Sequence, residues 1–123
     1  MDDSGAFSSY SVTDLAAAKA FYEGTLCLAV EELPQGLGVN LSTGGSVFLY
    51  PKDDHQPASF TVLNFRVDDI EAAVDELTGS GVTMEHYDGF DQDDRGISSA
   101  GGGPRIAWFK DPAGNVLSVV QPT

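Results

Sequence analysis

The strongest constraint on this 123-residue chain is an internal repeat, in which each half runs through a strand, a helix and three further strand-like pieces. Residues 7–12 (FSSYSV) alternate as a half-buried strand does. TDLAAAKAFYEGTL then sets Leu15, Ala18, Phe21, Tyr22 and Leu26 at helical spacing behind Asp14 as a cap. Residues 60–67 (FTVLNFRV) alternate in the same way and enter DDIEAAVDELTGSG. There Asp68 and Glu71 stand at capping-box spacing, and Ile70, Val74 and Leu77 form the apolar stripe. The pieces after the helices are CLAVEEL, LGVNLS and SVFLYP in the first half, and VTMEHY, RIAWFK and NVLSVVQ in the second. Ser-Thr-Gly-Gly and Asp-Pro-Ala-Gly-Asn make the last turns, with Gly suited to a positive φ and Pro112 pre-setting the entry. The pattern predicts one α+β domain over residues 1–123, built as βαβββ twice. Module one spans 5–52, a polar linker (PKDDHQPAS) 51–59, and module two 60–122. The Gly-rich acidic stretch 88–104 is too polar for a core element and is expected to be a mobile or functional loop.

Charge narrows the partners. Nineteen acidic residues against six basic ones give a net charge of −13, which repels nucleic-acid phosphates and anionic lipid and favours cationic ligands; solubility is its plainest use. No stretch approaches the ~20 apolar residues that span a bilayer, and the acidic start does not read as a secretory signal, so a cytoplasmic location is expected. The single Cys27, in LCLAV, excludes an intrachain disulfide and reads as a buried thiol. Neither a nucleophile-elbow motif nor a Cys-x-x-Cys pair is present, and Gly101–Gly103 precedes a strand rather than a helix, which argues against a phosphate cradle.

In the order TDLAAAKAFYEGTLCLAV, VDDIEAAVDEL, GVTMEHYD and WFKDPAGNVLSVVQ, nearly the whole chain resembles the vicinal oxygen chelate superfamily, which includes glyoxalases, bleomycin-resistance proteins and extradiol dioxygenases. The resemblance implies that each module curls into half of an open, mixed β-barrel with the helices outside, and that the chain forms a homodimer. For the family's metal enzymes it further implies a divalent ion. That ion is held by a His seven residues before the Asp that opens each helix, and by a carboxylate three residues past the Gly-Asn of the last turn. These positions are Phe7, Val62 and Ser118 here; matching the turns through Gly45 and Gly114 adds Leu49. None carries an imidazole nitrogen or a charged oxygen, so neither metal nor other cofactor is expected, and metal catalysis of the glyoxalase or dioxygenase type is disfavoured.

Strand alternation then assigns a cavity face. Lys110 opposite Val116 sends Trp108 and Ile106 to the side of Ser118, and a slip of one residue would put Phe109 there in place of Trp108; Asn64 and Arg66 share the side of Val62, and Ser9 and Ser11 that of Phe7. The expected ligand-binding set is Phe7, Ser9, Leu49, Val62, Asn64, Arg66, Trp108 and Ser118, an apolar concavity with sparse polar anchors. Trp108 offers a π-face to an aromatic or cationic compound and Arg66 a fork for a carboxylate, against the plainer readings of a core aromatic and a surface ion pair. His55, in the linker, reads as solvated. His86 is the one weak candidate for a catalytic base, and it too has a plain surface reading. Three functions fit: a metal-free binding protein sequestering a cationic or aromatic small molecule, a metal-free lyase or isomerase with 88–104 as lid, or a non-catalytic structural subunit.

Overall fold

The computed structural model describes residues 1–99 and 102–123; Ala100 and Gly101, toward the end of the expected 88–104 loop, lie outside the described residues. The chain divides into two compact units, Met1–Pro57 and Ala58–Thr123. Both are α+β and βαβββ-like, each built on its own mixed sheet.

In the first unit β1 (Ser8–Val12) leads into α1 (Leu15–Lys19), followed by β2 (Ala29–Leu33), β3 (Gly36–Asn40) and β4 (Ser46–Pro51). Asp14 caps α1 as the sequence predicts, its carboxylate accepting from the Ala16 and Ala17 N–H groups at 2.9 and 3.3 Å. The helix does not stay α-helical to Leu26: Ala20–Thr25 forms a π-helical turn, closed by the Leu26 N–H bond to the Phe21 carbonyl. Cys27 follows at φ 59°, the left-handed conformation in which a helix commonly exits, and it is exposed rather than buried. The sheet order is β1-β4-β3-β2, with β1 parallel to β4 and the other pairs antiparallel. Tyr10, Leu37 and Leu49 share one register line, as do Val39 and Val47, and this side meets the helix. There the Tyr10 and Tyr22 hydroxyls hydrogen-bond at 2.7 Å, and Tyr22 is fully buried.

The second unit has β5 (Thr61–Arg66), α2 (Ile70–Gly79), β6 (Arg105–Lys110) and β7 (Val116–Gln121), in the sheet order β5-β7-β6 with β5 parallel to β7. Ile70 and Val74 of α2 are buried, as are Leu117 and Phe109 on the sheet. Each such side chain contributes roughly 1.5–3 kcal/mol of transfer free energy. The cap of α2 is Asp69, which accepts from the Ala72 N–H at 3.1 Å, and not Asp68. Glu71 reaches Arg105 at 2.8 Å instead of closing a capping box.

Residues 82–87 form no strand ladder, contrary to the alternation of VTMEHY. The Glu85 N–H does bond the Trp108 carbonyl at 2.8 Å, but the groups a ladder would use next are taken by one side chain. The Gln92 amide receives the Tyr87 N–H at 2.7 Å and donates to the Glu85 and Gly96 carbonyls at 3.0 and 2.8 Å. Ser98 then exchanges both backbone bonds with Ile106, so this segment covers the outer edge of β6.

Gly36 allows the closest approach in the first sheet. A Cβ there would collide with the Leu49 carbonyl oxygen and stand 3.0 Å from the Phe48 ring. Gly36→Ala is expected to cost about 1–3 kcal/mol, read as an earlier urea midpoint at constant m-value; an unchanged midpoint would show that β3 and β4 separate freely here.

Candidate functional site

Both sheets turn one face to a helix, and the residues of chemical interest lie on the other. In the second unit the pairing of Lys110 with Val116 is as the sequence predicts, so Trp108 stands beside Ser118 and Ile106 beside Val120. Asn64 lies opposite Ser118 on the other side of β7, and Arg66 opposite Val120. Ser118 is 0% exposed, and its hydroxyl donates to Asn64 Oδ1 at 2.5 Å. The bond spends the Ser118 proton and fixes the Asn64 amide with its NH2 group turned away from Ser118. Val62 is displaced from simple alternation: the register shifts between Thr61 and Leu63, leaving it as the inserted residue of a bulge with no partner on β7.

Trp108 sits in an aromatic cluster. Its indole meets the Tyr87 ring edge-on at 5.6 Å between centroids and the tilted Phe90 ring at 4.9 Å. Phe90 is exposed and belongs to the stretch expected to be a mobile or functional loop; residues 92–97 of it are held by the Gln92 bonds, by buried Ile97, and by the Arg95–Asp75 ion pair at 2.9 Å. The Arg95 guanidinium holds the Asp75 carboxyl below its ordinary range. Among the described residues every lysine and arginine except Arg66 is paired with an acid, so the sequence alternative of a paired Arg66 does not hold.

In the first unit the open face carries Ser9 opposite Phe48, and Gly38 opposite Phe48 on the other side. Leu49 is not on it. It pairs with Tyr10 and Leu37 toward the helix and is 0% exposed, which removes it from the expected ligand-binding face. The two last turns explain the slip. Leu41 and Gly45 close the first turn, Asp111 and Asn115 the second, and the positive-φ glycines are Gly44 and Gly114. Matching Gly44 to Gly114 makes Phe48, not Leu49, the counterpart of Ser118.

A concavity of about 320 Å³ opens on this face, lined by Phe7, Phe48, Leu33, Asn40, Ser46 and Glu31 among others. Phe7 is 64% exposed. Phe48 stacks on Tyr50 with 6.0 Å between centroids. Sequence reasoning found Phe7 and missed Phe48 and Glu31; the signal for both was the register of β3 against β4. His55 is not simply solvated, because its Nδ1 lies 2.6 Å from the Ser11 hydroxyl. His86 is exposed and, among the described residues, makes no hydrogen bond, so no neighbour orients it as a base.

The positions at which the resemblance expects metal ligands are therefore Phe7, Phe48, Val62 and Ser118. Three are hydrocarbon, and the fourth is a hydroxyl already committed to Asn64. Among the described residues no three His, Cys, Asp or Glu side chains converge as a metal site would require. This donor set does not fit a divalent ion. Among the described residues no helix is long and apolar enough to cross a membrane.

The Tyr87 hydroxyl is buried without a partner among the described residues. Burial, and after it the nearby Glu85 carboxylate, push its phenol above the ordinary tyrosine value. An acid whose folded pKa is raised contributes stability in full below its unfolded value of about 10 and loses it as pH rises through the folded one. Tyr87→Phe is thus expected to be neutral or stabilising by up to about 1 kcal/mol near pH 7, and to lessen the alkaline loss of stability. Urea melts at neutral and alkaline pH measure both; destabilisation at neutral pH would show that the hydroxyl has a partner.

A model of the Glyoxalase/Bleomycin resistance protein/Dioxygenase superfamily matches residues 7–119. Comparison with curated protein sequences gives no match. Among solved structures, TnmS3, an antibiotic binding protein from Streptomyces sp. CB03234, is 26% identical, covers 96% of both chains and superposes with a TM-score of 0.65. The genomically encoded fosfomycin resistance protein FosX from Listeria monocytogenes is 15% identical, with 96% of this chain and 92% of that one covered and a TM-score of 0.71. A glyoxalase family protein from Enterococcus faecalis is 20% identical, with 93% and 94% covered and a TM-score of 0.69.

Proposed function

Because the chain belongs to the glyoxalase/bleomycin resistance protein/dioxygenase superfamily, we propose that it binds a small aromatic or cationic molecule and sequesters it without turnover. The observation that carries this reading is the Ser118–Asn64 hydrogen bond at the position where the family's metal enzymes place a carboxylate. A metal enzyme needs a free anionic donor there; this chain has a neutral hydroxyl whose proton is already given away. Trp108, 9% exposed and held edge-on by Tyr87, is the aromatic contact of this reading, with Asn64 and Arg66, two strands away on β5, as polar anchors; Arg66 has no acidic partner among the described residues. The likeness to TnmS3 supports a binding role. A homodimer and a cytoplasmic location complete the proposal; an exposed free Cys27 suits a reducing compartment. The rival reading as a metal-free enzyme finds little support, since His86 has no orienting partner among the described residues.

The test is a thermal-shift screen of aromatic compounds, followed by recovery of each bound compound. The expected result is a ligand that raises the thermal midpoint, quenches the emission of the single tryptophan on saturation, and returns chemically unchanged. Trp108→Phe should weaken that ligand about tenfold with the fold retained. Conversion of the bound compound to product would overturn the proposal.

A further inference from the structure

The concavity of the first unit is lined by charge of one sign. Strand alternation sends two adjacent glutamates of β2 in opposite directions. Glu32 meets Lys19 at 3.7 Å, whereas Glu31 lines the concavity and has no basic partner among the described residues. Glu31 lies opposite Gly38, and a Cβ at Gly38 would stand 3.9 Å from Glu31 Oε1. The same Cβ would stand 3.3 Å from Leu33 Cδ1, so Glu31 and Leu33 flank the glycine, and both line the concavity with Phe48 and Phe7. Among the described residues no lysine, arginine or histidine lines the space, and its other polar side chains are the neutral Asn40 and Ser46. The faces of phenylalanine rings attract cations, as the carboxylate does. An anion would meet repulsion from Glu31 and from a net charge of −13, with no compensating donor charge.

We propose that this concavity is a binding site for a small organic cation, an ammonium-type group on an apolar body, with Glu31 as the charge partner and Phe48 and Phe7 as the aromatic walls. Its volume of about 320 Å³ is at the small end of ligand pockets, which suits a single ring and a compact charged group. Glu31 is the residue that sets selectivity, since it contributes the only formal charge. The inference rests on the reading of the chain as a small-molecule binder, and it adds Glu31 and Phe48 to the residues of that reading.

The experiment is calorimetric titration of the full chain with benzyltrimethylammonium, benzyl alcohol and phenylacetate, matched by amide chemical-shift maps. The expected result is saturable binding of the cation at least about tenfold tighter than the alcohol, no binding of phenylacetate, and shifts centred on Gly38 and Asn40. Glu31→Gln, an exposed substitution, should erase the preference for the cation while leaving the melting curve and the alcohol unchanged. Phe48→Leu, which keeps an apolar wall, should weaken cation and alcohol alike. Equal binding of cation and alcohol, or a cation preference that survives Glu31→Gln, overturns the inference and leaves the binding role standing. So does a wild-type protein that ignores all three probes while an aromatic ligand still quenches Trp108. If no compound binds by either readout, both readings fail together.

Discussion

Each unit lays its first strand parallel against its last, β1 on β4 and β5 on β7, and the rest of the structure follows from that pairing. Parallel neighbours cannot be joined by a tight turn, so the chain must leave the sheet, form a helix and return. The helix commits one face of the sheet to apolar burial: Val12, Leu49 and Tyr22 in the first unit, Leu117, Phe109 and Val74 in the second. Period-two alternation then delivers every other residue to the opposite face with no further choice. Ser9 and Phe48 arrive there in one unit, Asn64, Ser118 and Trp108 in the other.

What occupies that second face differs from the ligand set that the resemblance to the family's metal enzymes implies. A carboxylate at position 118 would sit in a site with no water contact. Without a cation it would be an unpaired buried charge, which costs several kcal/mol. Serine with asparagine is self-sufficient instead: one neutral hydrogen bond, both partners on adjacent strands, nothing left that demands an ion. The Tyr87 hydroxyl, buried without a partner, is the one described exception.

The repeat, the two modules and the neutral character of Ser118 were legible in the sequence, because each rests on local periodicity or on residue identity; the pairing of Lys110 with Val116 was the first of two registers the sequence allowed. Asp-Pro-Ala-Gly-Asn offers one glycine for the positive-φ position, and the register of β7 follows from it. Ser-Thr-Gly-Gly offers two, Gly44 and Gly45, and only the backbone angle of 101° at Gly44 decides between them. That single-residue ambiguity placed Leu49 where Phe48 stands and hid the first-unit concavity. The loss of the 82–87 strand was illegible for a different reason. Its competitor is the side chain of Gln92, and side-chain capture of backbone groups has no periodic signature. The neighbouring acids Asp68 and Asp69 posed a like ambiguity at α2, and the one that reaches the Ala72 N–H won.

The central claim is that this family member carries out its role without the family's metal. The most direct test is elemental analysis of untagged protein loaded in turn with Zn²⁺, Ni²⁺, Mn²⁺ and Fe²⁺ and then dialysed against metal-free buffer. The donor set of Phe7, Phe48, Val62 and Ser118 predicts that every ion washes out and that none shifts the thermal midpoint. Retention of about one ion per chain, with a raised midpoint, would contradict the account, because metal binding that survives dialysis needs several charged or imidazole donors at one site.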